Sequence, residues 1–127
     1  MASVLNMIEC APKGCDTMWV NLQLVFDALS APMQAMLEGL TALHTQKGAP
    51  PVEPAEHPVV RVHPTSGRKS LYVNRIFTDR IVQLSPSESK AMLEYLFRFA
   101  EQPQFSTCKP WLRKPPALLP EARRREG

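Results

Sequence analysis

The sequence predicts an α+β protein in which helices are inserted between short strands. Three observations carry that prediction. Apolar residues recur at helical spacing in three stretches, β-branched residues cluster in short runs between turn signals, and 13 prolines among 127 residues keep every element short. A chain of this length holds one small domain. With 44% apolar and 21% charged residues it has an ordinary globular composition, which excludes wholesale disorder. No apolar run approaches the roughly 18 residues a membrane-spanning helix needs. Residues 1–9 lack the basic and apolar regions of a secretory signal. Cys10, Cys15 and Cys108 are too few and odd in number for a disulfide framework, so a reducing, cytoplasmic setting is expected.

Residues 3–9 are β-tolerant and suit a strand. Ala11-Pro12-Lys13-Gly14-Cys15-Asp16 is a turn cluster, and Thr17-Met18-Trp19-Val20 resumes as a strand. Leu22, Val25, Phe26 and Leu29 predict a short helix over 22–29. Ser30 can cap a second helix, with Pro32 in its first turn, Met33, Met36, Leu37 and Leu40 on one face, and Gly39 near its end. Residues 47–56 read as a loop, because Pro50, Pro51 and Pro54 block regular structure. His57-Pro58 opens a strand over Val59–His63, residues 64–68 form a tight turn, and Leu71-Tyr72-Val73 returns as the partner strand. Residues 74–82 are less regular. Ser85 is an N-cap, Pro86 a first helical residue and Glu88 the third member of a capping box. Met92, Leu93, Leu96, Phe97 and Ala100 line the buried face of the helix that follows, and Pro103 ends it.

The net charge of +3 is unevenly placed. Residues 106–127 hold six Lys or Arg against Glu121 and Glu126, together with four prolines and no periodicity, and read as a disordered tail. The expected division is therefore a domain over 1–105 and a Pro/Arg-rich tail over 106–127. Arg123-Arg124-Arg125 has no interleaved aromatic residue, so nucleic acid is not expected as a partner, nor is a membrane.

The residues alone complete no active site. A facial iron site needs two imidazoles and a carboxylate, yet none of His44, His57 and His63 is followed two positions later by Asp or Glu. His57 and His63 on one regular strand would stand about 20 Å apart and could not chelate one ion. They read as polar residues at strand ends. There is no Cys-x-x-Cys pair, no phosphate-binding glycine loop and no nucleophile elbow.

Two stretches go further. Residues 9–19, Glu-Cys-Ala-Pro-Lys-Gly-Cys-Asp-Thr-Met-Trp, resemble the E-x-P-P-x-G-G-D-T-x-W segment of the taurine dioxygenase (TauD/TfdA) family, and Phe26-Asp27-Ala28-Leu29-Ser30 is similar to its Y-E-A-L-S. Residues 57–74, His-Pro-Val-Val-Arg-Val-His-Pro-Thr-Ser-Gly-Arg-Lys-Ser-Leu-Tyr-Val-Asn, resemble its H-P-V-V-R-x-H-P-x-S-G-x-x-x-L-x-V-N. Phe77-Thr78-Asp79-Arg80-Ile81-Val82 follows as F-T-x-R-I-V. The resemblance covers about residues 2–105.

It implies an incomplete jelly-roll (double-stranded β-helix) and an Fe(II)- and 2-oxoglutarate-dependent dioxygenase that hydroxylates a small organic substrate. It carries two residues over. Thr17 matches the threonine whose hydroxyl binds the distal carboxylate of 2-oxoglutarate, a charge-assisted contact. Phe77 matches an aromatic residue lining the substrate pocket. The His-x-Asp iron pair of the family precedes its first matching strand, and its distal His and carboxylate-binding Arg follow the position of Phe105. The expectation is a fragment without catalytic residues or metal ligands, inactive alone. Gly14-Cys15 stands at the Gly-Gly pair and Gln46 at a substrate-side aromatic position. The alternative is a non-catalytic protein that binds partners, or itself, through unpaired strand edges or the basic tail.

Overall fold

In the computed structural model the described residues are Gly14, 16–45 and 53–111. These divide into two units: 19–45 with 53–107 in one, and Gly14, 16–18 and 108–111 in the other. The predicted strand over 3–9 and Gln46 lie outside the described residues.

In chain order the described elements are β1 (Thr17–Val20), α1 (Leu22–Ala28), α2 (Ala31–Glu38), β2 (Thr41–His44), β3 (Ala55–Pro58), β4 (Val60–Val62), β5 (Lys69–Leu71), β6 (Thr78–Ile81), α3 (Pro86–Ala100), a 3-10 turn (Pro103–Phe105) and β7 (Ser106–Lys109). Helices and antiparallel strands are mixed, as expected. The strands make three small sheets, β3-β2-β6, β4-β5 and β1-β7.

The start of α3 follows its sequence. The Glu88 amide donates to Ser85 Oγ and the Ser85 amide donates to Glu88 Oε2, closing the capping box. Leu93, Leu96, Phe97 and Ala100 are buried, while Met92 is only partly so. Ser89 joins the buried face instead, and its Oγ accepts the Ile81 amide at 2.8 Å. That bond fixes α3 on β6.

Asn21 caps α1 by accepting the Gln23 and Leu24 amides. Its Val25 and Phe26 enter the core. Leu29 is extended, so the helix stops at Ala28. Ser30 occupies the N-cap of α2 but makes no side-chain capping bond. Gln34 Nε2 donates to Phe26 O at 2.7 Å and ties the two helices together. Leu37 is buried whereas Met36, one position round the helix, is half-exposed.

Several strands differ from the sequence expectation. β2 is not among the expected strands, since four residues so soon after Gly39 are too short to display a period. β3 begins inside the predicted loop; Pro54 precedes it and Pro58 ends it on a sheet edge, where a missing N–H costs nothing. The predicted strand through Val59 is two strands in two sheets. Val59 is the fully buried corner: its N–H donates to Leu40 O at 2.9 Å, and its carbonyl accepts the Tyr72 amide at 2.7 Å. β5 lies two residues earlier than predicted, with Val60 opposite Leu71. The turn before it has Gly67 at φ +68, a backbone that suits glycine.

β6 falls in the stretch that looked irregular. Its register against β2 shifts between Leu43 and His44, from Arg80 to Thr78, so Thr78 and Ile81 are both buried and the alternation is broken. β7 occupies Ser106–Lys109, residues assigned to the tail. Four residues before Pro110 were hidden by the proline-rich composition behind them. Residues 112–127 lie outside the described part.

Ser89→Ala leaves the Ile81 amide unsatisfied in the core and is expected to cost about 1–3 kcal/mol. Leu96→Ala, which opens a cavity at a fully buried position, is expected to cost about 2–5 kcal/mol. Urea unfolding of each variant against the parent measures both.

Candidate functional site

Thr17 and Phe77, the two residues singled out by sequence, lie in different units. In the smaller unit Gly14 takes φ +84, a conformation that favours glycine, at the first position of the Gly14-Cys15 pair. Thr17 opens β1 half-buried. Trp111, 94 residues later, donates its indole Nε1–H to Thr17 Oγ1 at 2.6 Å. An indole N–H only donates, whereas a hydroxyl has one proton and two lone pairs. Thr17 is therefore the acceptor in this pair, and its own proton has no acceptor among the described residues. No sequence signal singles out Trp111, because nothing local links it to Thr17.

In the larger unit Phe77 sits on a turn built by Asn74, whose Oδ1 accepts the Ile76 and Phe77 amides at 3.1 and 2.8 Å. The Asn74 amide donates to Thr78 Oγ1 at 2.9 Å, and the Thr45 amide donates to Phe77 O at 2.8 Å. Arg75 anchors the turn to α3. Its Nε and Nη2 meet the two Glu101 carboxylate oxygens at 2.9 and 3.0 Å, and Nη1 meets Glu94 Oε2 at 3.0 Å. The guanidinium also lies 5.1 Å from the Phe97 ring centre. Bonds from the Arg75 side chain hold the Glu101 carboxyl below the usual carboxylate range, and bonds from Arg98 and then Arg75 do so for Glu94.

Phe77 and Asn74 line two cavities. One, of about 480 Å³, is mainly apolar and includes Val20, Leu22, Val73 and Phe97. The other, of about 240 Å³, is lined with His44, Thr45, His57 and Tyr72. Phe77 is 42% exposed, so it is a wall residue rather than part of the core.

The histidines are arranged differently from the sequence expectation. His63 does close a strand end: its Nδ1 accepts the Thr65 and Ser66 amides at 3.3 and 3.1 Å. His57 instead lies within β3, diagonal to His44 on β2. Their ring centres are 5.4 Å apart, and Tyr72 completes the cluster at 5.3 and 5.5 Å. Arg61 stacks on Tyr72 at 4.8 Å. His44 Nε2 is buried without a hydrogen-bond partner. Burial, and then the charge His57 carries when protonated, push the His44 pKa below its ordinary value. The antiparallel pairing of β2 with β3 brings the two imidazoles together, which no spacing in the sequence reveals.

The family model for "Taurine catabolism dioxygenase TauD, TfdA family" matches residues 1–113. The chain belongs to this family. Among curated TauD/TfdA relatives, it is 35% identical over 113 residues to an alpha-ketoglutarate-dependent sulfonate dioxygenase of Saccharomyces cerevisiae, covering 76% of this chain and 26% of that protein. It is 38% identical over 112 residues to the alpha-ketoglutarate-dependent dioxygenase cnsM of Penicillium expansum, covering 76% and 31%. A taurine dioxygenase structure from Burkholderia xenovorans superposes with a TM-score of 0.75 at 43% identity, over 80% of this chain and 36% of that one. The chain thus spans about a quarter to a third of the length of these curated relatives. The family match runs past Phe105 through β7, beyond the boundary read from composition.

The family works with Fe(II) and 2-oxoglutarate. The described residues do not fit the metal: no three His, Cys, Asp or Glu side chains among them converge on one point. Among the described residues no helix is long and apolar enough to cross a membrane.

The His44 shift has a sign. Its folded pKa is depressed, so its contribution to stability is fully present above about pH 6.5, the unfolded value, and is lost as pH falls through the folded pKa. His44→Phe keeps a ring beside Tyr72 and removes the titration. The parent is expected to lose stability relative to this variant between pH 7 and pH 5, which urea midpoints at the two pH values measure.

Proposed function

We propose that this chain forms the co-substrate- and substrate-facing segment of a TauD/TfdA-type dioxygenase, an oxidoreductase that hydroxylates a small organic molecule. The observation that carries the reading is the Thr17 hydroxyl, made an acceptor by Trp111 within the family match, with its own proton unclaimed among the described residues. That proton would go to the distal carboxylate of 2-oxoglutarate, where a charge-assisted bond is stronger than a neutral one. Phe77 would form a wall of the substrate pocket, held by the Asn74 turn and the Arg75 clamp.

Relatives are named for a sulfonate, a sulfate ester and 2,4-dichlorophenoxyacetate. The chemistry these share, an organic oxyanion, is the substrate class that supports the proposal best. The small antiparallel sheets belong, in this reading, to an incomplete jelly-roll. Iron would supply the oxidising chemistry, but the described residues offer it no ligand set, and the chain alone is expected to be inactive. A cytoplasmic location belongs to the same proposal; Cys108 is a free thiol.

A second reading, self-association, has its own support. β1 exposes Met18 and Trp19, at 68% and 50%, and an apolar strand in a two-stranded sheet invites further pairing. A concentration-independent monomer in sedimentation would remove it.

The test is a hybrid in which residues 14–111 replace the matching segment of a complete relative, alongside the isolated chain. The isolated chain is expected to release no succinate with Fe(II), dioxygen and 2-oxoglutarate. The hybrid is expected to do so, with Thr17→Val raising the KM for 2-oxoglutarate by roughly tenfold or more. Phe77→Ala should raise the KM for the organic substrate and leave that for 2-oxoglutarate unchanged. Equal KM values for 2-oxoglutarate in the parent hybrid and its Thr17→Val variant would overturn the assignment.

A further inference from the structure

Thr17 and Trp111 form a donor–acceptor pair whose direction is set by chemistry. The indole nitrogen carries a proton and no available lone pair, so the bond at 2.6 Å runs only from Trp111 to Thr17. A hydroxyl with one lone pair engaged keeps one proton to give and holds a narrower range of rotor angles. Without the indole N–H, the same hydroxyl could turn and present a lone pair to an approaching carboxylate, which would repel it. A donor fixed before the ligand arrives loses less freedom on binding.

We propose that Trp111 is a positioning residue for the co-substrate: its Nε1–H fixes the Thr17 hydroxyl as the donor to the distal carboxylate of 2-oxoglutarate. This rests on the co-substrate reading of Thr17 given above and extends it to a residue outside every motif in the sequence. Trp111 acts through Thr17 and needs no contact with the ligand. Its fused ring matters less than its N–H, which separates positioning from packing.

The chain has two tryptophans, Trp19 and Trp111, so indole ¹⁵N–¹H spectra of the whole 127-residue chain report on Trp111 directly. Titration with 2-oxoglutarate is expected to shift the Trp111 Nε1–H resonance. Pyruvate, which has the 2-oxo acid group but no distal carboxylate, is expected to leave it in place. Trp111→Phe should weaken 2-oxoglutarate binding, followed at the Thr17 amide, by roughly three- to tenfold, the range for one orienting hydrogen bond. Trp111→His, which keeps a ring N–H, should restore part of that loss, and Thr17→Ser should bind as the parent does.

A purely structural tryptophan would show an indole resonance indifferent to both ligands, which overturns the proposal without recourse to any variant. If Thr17→Val weakens binding while Trp111→Phe binds as tightly as the parent, the positioning role fails and the co-substrate reading stands. If the parent chain does not bind 2-oxoglutarate, or Thr17→Val binds it equally well, the co-substrate reading fails and this inference with it.

Discussion

Burial of one face of α3 against β6 is the constraint on which the larger unit depends. Leu93, Leu96, Phe97 and Ala100 withdraw from water together, and the Ser89 hydroxyl takes the Ile81 amide that packing would otherwise strand in the core. Area burial drives the contact without direction. The Ser89 bond gives it a register. Once β6 is fixed, its bulged pairing with β2 follows, and so does the turn that precedes it.

That turn shows how a half-exposed aromatic residue can be held in place. Phe77 has too little burial to orient itself. Its amide is held by Asn74, its carbonyl by Thr45, and the neighbouring Arg75 is forked onto Glu101 and joined to Glu94 on α3. Exposed ion pairs contribute little stability singly. Here a bidentate fork with an aromatic face beneath it restricts geometry more than it adds energy. The other flank of the turn carries His44, His57 and Tyr72, where burial favours neutral His44.

In the smaller unit the same economy appears with fewer atoms. A strand threonine is ordinary, and so is a half-buried indole N–H that finds a partner. Their pairing removes the ambiguity of a hydroxyl that could donate or accept. A hydroxyl whose orientation is set in advance loses less freedom when an acceptor arrives.

Much of the local structure was legible in the residues. The capping box at Ser85 and Glu88, the helical spacing of Leu22, Val25 and Phe26, and the turn before Gly67 are short-range signals, set by backbone sterics and hydrogen bonds between near neighbours. The family motifs around Thr17, His57 and Phe77 were legible for the same reason, since each is contiguous. What the sequence hid was long-range. β2 and β7 are too brief to show a period. Val59 splits one apparent strand between two sheets because its two backbone groups find partners 19 and 13 residues away, at Leu40 and Tyr72. The His44–His57–Tyr72 cluster and the bond from Trp111 to Thr17 join residues that no spacing rule connects. The sequence by itself therefore determined the helices, the turns and the family. Only the tertiary structure decided which strands pair, which histidine nitrogen is buried and which side chain sets the direction of the Thr17 hydroxyl, because these depend on where distant backbone and side-chain groups find their partners once the apolar faces have closed.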